Sequence, residues 1–258
     1  MKEVIIMHQC PMDMFPYTIE PGDTLLTISG RFNTSVNLIS SGNPGINSDN
    51  LSVGKVICIP SRLIQTFYKQ NISGKTQYSR QEVDLINEIR RLWEDHITWS
   101  RMAILSMTEN FPDENIVTKR LLRNPSDFAT LFKTYYGEEI ATKYEALFTE
   151  YLVSGIDLLK ATMSGDKTAA LEAERKWYAN ADEIAIFLAS INPNWKERTW
   201  KEMLYENISL SKDEAMDRAN KYYAADILLY DKVQNQALEM ADIMSEGIIS
   251  QFPNKFQN

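Results

Sequence analysis

Few side chains in this sequence are of a kind that does chemistry, and their spacing limits what that chemistry can be. Two histidines occur in 258 residues, and of these only His96 falls in the long helical part. It stands midway along an apolar stripe, and aligning the two halves of that part sets Asn180 opposite it. A di-metal site in a helical bundle needs Glu-x-x-His on two helices, and no second histidine supplies it. The spacing points to a satisfied core histidine, with no metal and no other cofactor. Asp157 in "GIDLL" and Asp242 in "MADIM" hold similar places near the ends of two long helices. Paired carboxylates do acid and base work, but no nucleophile, glycine loop or metal set accompanies these two, so they read first as solvated or hydrogen-bonded acids. "SGKT" at 73–76 has Lys69 where a phosphate loop needs its first glycine. No catalytic set emerges, and His96, Asn180, Asp157 and Asp242 are the polar groups on which bundle chemistry would have to rest.

Another kind of chemistry needs only backbone. In "YTIEPGDTLLTIS", residues 17–29, a short strand runs into Pro21-Gly22-Asp23-Thr24 and then into an apolar helical start. Tyr17 and Ile19 alternate with polar neighbours as in a half-buried strand, glycine frees the turn for positive φ, and Asp23 or Thr24 can cap the helix. Leu25, Ile28 and Phe32 form the buried face of a helix over about 24–32, "NTS" at 33–35 closes it, and a second short helix carries Val36, Ile39 and Ser40. "GNPG" at 42–45 ends that helix, Val53-Gly54 turns, and "VICIP" at 56–60 supplies a β-branched strand. The predicted order is strand, helix, helix, strand.

The run 17–60, with its Gly-Asp-Thr turn, Asn-Pro-Gly, Leu-x-Val-Gly and closing Ile-Pro, resembles a LysM domain over its whole length. The resemblance implies a shallow groove that binds N-acetylglucosamine-containing polymers, peptidoglycan or chitin-like glycan. One wall would be Gly22, Asp23, Thr24 and Leu25, the other Asn43, Pro44, Gly45 and Ile46. Glycines allow backbone groups close to acetamido groups, and Leu25 and Ile46 can meet methyl and ring faces. Asp23 and Thr24 serve equally well as caps with no sugar bound. LysM domains of spore-forming Firmicutes often place cysteines as Cys10 and Cys58 are placed here, which implies a disulfide. Such a bridge would add a few kcal/mol to a domain too small for much core; two buried free thiols are the alternative.

The rest of the chain bounds the function. Net charge is −8 with 27 scattered basic residues, a field that repels phosphate backbones, so nucleic acid is excluded as a partner. The start "MKEVIIMHQC" is too short in apolar residues for a signal peptide, and no segment nears the ~20 apolar residues of a membrane span. Cytoplasmic synthesis without membrane insertion is expected. Residues 10–60 hold both cysteines, five of the ten glycines and five of the nine prolines, whereas 81–250 are long amphipathic runs. The expected division is a lead over 1–16, a glycan-binding domain over 17–60, a linker over 61–80, a helical domain over 81–252 and a tail over 253–258.

In the helical domain, Leu85, Ile89, Leu92, His96, Trp99 and Ala103 step by four and three, with a second line at Ile86, Trp93, Ile97 and Ile104. Shorter helices around 117–122 and 125–137 lead to a long helix over about 138–163. The plan then repeats with a shift of about 84 residues, carrying Trp93 onto Trp177. This reads as an internal duplication, about 85–166 and 167–249, of a long-short-long hairpin. The fold class is a small α+β domain, βααβ, joined to a larger all-α domain in which two hairpins form a four-helix bundle with short extra helices. Trp93, Trp99, Trp177, Tyr222 and Tyr223 read as core residues before sugar platforms.

Residues 85–256, with "LWEDHITWSRM", "WYANADEIAIFL" and "QFPNKF", resemble an uncharacterised all-helical bacterial domain found in spore-forming Firmicutes. Some relatives are labelled acetylglutamate kinase, an α/β enzyme with glycine-rich phosphate loops that this region lacks. In that family further histidines stand where this chain has Tyr151, Asn207 and the 234–236 segment, so a histidine site there would be mostly lost. The expected function is non-catalytic binding of peptidoglycan or spore cortex, with the bundle recruiting a protein partner or self-associating. The expected location is the spore or wall of a Gram-positive bacterium. The alternatives are a wall-active enzyme with a catalytic bundle and a phage or injection-device component.

Overall fold

In the computed structural model the described residues are 10, 14–32, 36–46, 51–60 and 78–256. Expectations for 33–35, for 47–50 and for 61–77 of the linker lie outside them. The chain divides into two compact units, 1–77 and 78–258.

In the first unit, strand β1 (Met14–Thr18) pairs antiparallel with β2 (Val56–Pro60), Met14 opposite Pro60 and Thr18 opposite Val56. The ladder begins earlier than expected because Pro16 and Pro60 are tolerated in a two-stranded sheet, where each strand has a free edge. Ile19 follows the strand and still exchanges backbone bonds with the turn, its N–H reaching Lys55 O and its carbonyl accepting from Gly54 N, both at 2.9 Å. Helices α1 (Leu25–Arg31) and α2 (Val36–Gly42) cover one face. The core is six aliphatic side chains, Ile19, Leu25, Ile28, Ile39, Ile57 and Ile59.

The second unit is helical. Helix α3 (Arg80–Thr108) opens on a capping box in which Ser79 and Glu82 satisfy each other's backbone N–H groups. The chain continues through α4 (Glu114–Leu121), α5 (Asn124–Tyr136), α6 (Glu138–Ser164), α7 (Lys167–Ile191), α8 (Glu197–Ala219) and α9 (Tyr223–Gln251), ending in a 3₁₀ turn over Pro253–Lys255. The bundle forms as expected, with two differences. The hairpins do not close within each half: α6 packs chiefly on α7, and α9 returns to pack on α3. Gly165-Asp166 leaves only two residues between α6 and α7, which forces them to be antiparallel neighbours, while α4 and α5 separate α3 from α6. The middle of the second half is also one helix of 23 residues, α8, where two short helices stand in the first half. Pro125 breaks the first copy, and "ENISLSKDE" carries no such break.

Aromatic residues dominate the bundle core. Phe132 stacks on Tyr144 with centroids 4.2 Å apart, and Phe128 and Trp93 meet Phe148 edge-on or tilted. Gly247 is required by close approach, since a Cβ there would lie 1.9 Å from the Trp195 indole nitrogen. Trp93 and Trp177 are buried as expected, but Trp99 is half-buried and Tyr222 and Tyr223 are exposed. These two tyrosines sit at the α8–α9 corner, where Lys221 takes a positive φ of 64°, and Tyr223 lies beneath the Arg218 guanidinium instead of in the core.

Candidate functional site

The first loop is held by its own side chains. The Asp23 N–H bonds Glu20 O at 3.1 Å, and Gly22 takes φ +89° in the turn. Asp23 does not cap the helix: its carboxylate accepts from the Glu20 N–H at 2.9 Å and from the Tyr17 hydroxyl at 2.5 Å, and Arg31 pairs with it at 3.2 Å. The bond from Tyr17 first, and then that from Glu20, hold the Asp23 carboxyl below its usual range; burial first, and then Asp23, push the Tyr17 hydroxyl up to about 12. Thr24 is the cap, accepting from the Thr27 N–H at 3.1 Å while Thr27 accepts from the Thr24 N–H at 2.8 Å. Leu25, expected to face a sugar, lies in the core at 2% exposure, so its side chain presents no contact surface.

The second loop is clipped to the sheet by Asn43. Its amide nitrogen donates to Ile39 O at 2.7 Å and to Cys58 O at 2.6 Å, and its amide oxygen accepts from the Cys58 N–H at 2.7 Å. That side chain is committed to the fold. Pro44 and Gly45 are exposed, Gly45 takes φ +84°, and Ile46 is half-buried against the core that also contains Leu25. Both loops therefore rest on one core and present exposed glycine backbone, at Gly22 and Gly45, with side-chain polar groups turned to internal bonds. Cys10 is joined to Cys58 by a disulfide, which ties the chain ahead of β1 to the strand that Asn43 clips.

The polar groups of the bundle do not assemble as one site. His96 is buried among Trp93 and Phe148, ring centroids 5.7 and 5.3 Å away, and its Nδ1 has no hydrogen-bond partner among the described residues. Burial lowers its pKa to about 4. Asn180 donates to Leu147 O at 3.1 Å and makes no bond to His96. Asp157 is exposed on α6, and Asp242 is gripped by the Arg90 guanidinium at 2.6 and 2.5 Å, so the two carboxylates are not joined. No group of three or more metal-binding side chains occurs among the described residues, and no helix there is long and apolar enough to cross a membrane.

Two buried networks were not anticipated as such. Tyr151 donates to Asn207 at 3.0 Å, Asn207 to Gln236 at 3.0 Å, and Gln236 to Met203 O at 2.8 Å, which links α6, α8 and α9 through three positions noted in the sequence. Arg101 on α3 holds Glu214 at 2.7 Å and chelates the fully buried Asp226, which also lies 3.6 Å from Arg218. Burial, opposed by Arg101, raises Glu214 to about 7, and burial next to Glu206 and Asp242 raises Glu239 to about 8. The signal for Arg101 was present: it interrupts the apolar line between Ile97 and Ile104.

The comparisons with known proteins bear on the first unit. Neither curated proteins nor solved structures yield a match to the chain. Residues 17–60 match the LysM domain, and the match spans both loops and both helices built above. This part of the chain is a LysM domain, a module that indicates binding of N-acetylglucosamine-containing glycans.

Proposed function

We propose that the protein is a non-catalytic wall-binding adaptor. Its LysM domain docks on the N-acetylglucosamine polymer of peptidoglycan or spore cortex in a Gram-positive bacterium, and its bundle serves assembly or partner recruitment. Gly22, Asp23, Thr24 and Leu25 on one side and Asn43, Pro44, Gly45 and Ile46 on the other form the docking face. The observation that carries the reading is the LysM match over 17–60 with exposed glycine backbone in both loops. With Asp23 and Asn43 engaged in holding the turns, recognition falls to main-chain N–H and C=O groups and to the Ile46 side chain. A non-catalytic bundle is favoured by the separation of its acids, Asp157 in solvent and Asp242 bound to Arg90. The bundle reads as a duplication, supported by the pairing of α3 with α9 and of α6 with α7, the arrangement that exchange between two equivalent halves produces.

Chitin oligosaccharide titrated into labelled protein is expected to shift the amide signals at 22–25 and at 43, 45 and 46. Purified peptidoglycan is expected to pellet the chain with no fall in turbidity. Unmoved signals at both loops would remove the docking face, and clearing of the suspension would replace the adaptor by an enzyme.

A further inference from the structure

A cavity of about 440 Å³ opens between α3, α6, α7 and α8 of the bundle. Its size falls in the range of small-molecule sites, roughly 300 to 1,000 Å³. The walls are aliphatic, with Ile104, Met107, Leu152 and Leu159 among them, and its lining includes Leu171 and Met216, which are 69% and 45% exposed. An apolar lip of that kind draws apolar matter out of water.

The polar groups lining the cavity fall into two sets. Those that are charged or strongly polar inside it are already engaged: Tyr151 with Asn207, Glu214 with Arg101, and Lys212 with Glu174. Lys167 is exposed to solvent. No unpaired buried charge remains to repay the desolvation of an ionic ligand. The second set is the half-buried hydroxyls of Ser100, Thr162 and Ser211, while His96 Nδ1 and Trp177 Nε1 are buried behind the wall.

We propose that this cavity binds an uncharged, largely aliphatic or aromatic small molecule. The site is independent of the glycan-binding face, since every wall residue lies beyond residue 77.

The full chain is titrated with Prodan, an uncharged naphthalene ketone whose emission shifts to the blue in apolar surroundings. Saturable one-to-one binding is expected, with displacement by 1-decanol and not by decanoate or decyltrimethylammonium at equal concentration. Decanol, and neither ion, is expected to raise the melting temperature of the parent chain. Ala170→Trp and Ser211→Trp, which fill the cavity from half-buried positions, are expected to weaken Prodan at least tenfold with unchanged circular dichroism. Ile186→Trp, on an exposed face of α7 outside the cavity, is expected to bind as the parent does. Absence of saturation in the parent, equal displacement by either ion, or undiminished binding in both filled and folded variants overturns the proposal. Because the melting shift needs no substitution, it decides the matter even where a filled variant does not fold.

Discussion

The LysM domain and the bundle solve opposite problems with their polar side chains. The small unit has a core of six aliphatic residues and spends Asp23, Tyr17, Arg31 and Asn43 on pinning its two loops from the outside, adding a disulfide as a tie. The bundle has a deep aromatic core and carries its polar groups inside it, as an ion cluster around Arg101 and a bonded chain from Tyr151 to Gln236. Where polar side chains fix turns, a ligand meets main chain; where they are sequestered in a core, they specify which helices meet. The first arrangement suits recognition of a repetitive polymer at its surface, and the second suits a scaffold.

The comparison breaks most sharply at Arg101. Arg101→Ala leaves Glu214 without its cation and the fully buried Asp226 with Arg218 alone, at 3.6 Å, and removing one partner of such a cluster costs about 3 to 5 kcal/mol. Urea unfolding followed by tryptophan emission is expected to show that loss in the bundle with glycan binding intact. Next in size is the small unit's own tie. Replacing Cys10 and Cys58 by alanine is expected to cost about 3 kcal/mol, largely by freeing the unfolded chain. The bundle transition should stay where it was. If both substitutions moved both transitions, the two units would not be stabilised separately.

Much of this architecture was legible in the sequence, and what escaped has a common cause. The strand-helix-helix-strand order, α3 and α6 followed from turn chemistry and apolar period, which are local. Partner choice among helices is not local: every long stripe could have packed on any other, and the short Gly165-Asp166 connection, which seats α6 on α7, reads in the sequence only as the end of the first half. Asn43 was legible as a turn residue but not as a clip, because its partner Cys58 lies 15 residues on. Leu25 satisfied two templates at once, core face and sugar contact, and burial decided for the core. The charged cluster was hidden because Arg101 and Asp226 are 125 residues apart, so the break that Arg101 makes in its apolar line does not say which acid it meets.

His96 sharpens the contrast from the pH side. Its folded pKa of about 4 lies below the ordinary value near 6.5, so the unfolded chain binds the extra proton between those limits. Stability from this group is complete above pH 6.5 and is lost as pH falls toward 4, by about 2 to 3 kcal/mol. His96→Leu is expected to flatten the bundle's stability profile over that window, measured as the difference in urea midpoints between parent and variant. The LysM domain should show no change in the same comparison.

The smallest effect is the one that separates holding a loop from touching a ligand. Asn43→Ala removes three hydrogen bonds and exposes the Cys58 N–H and two carbonyls to whatever water can reach them, a loss of about 2 kcal/mol for the small unit. Asn43→Asp keeps the acceptor for the Cys58 N–H but sets a second carboxylate oxygen against the Ile39 and Cys58 carbonyls, so it should be no more stable than alanine. If Asn43 acts only by clipping the loop, glycan affinity should follow stability through this series and recover in alanine at temperatures where the domain is fully folded. An affinity loss that persists in a fully folded Asn43→Ala domain would mean that the side chain meets the sugar directly, and that the division between pinned side chains and ligand-facing backbone does not hold in the second loop.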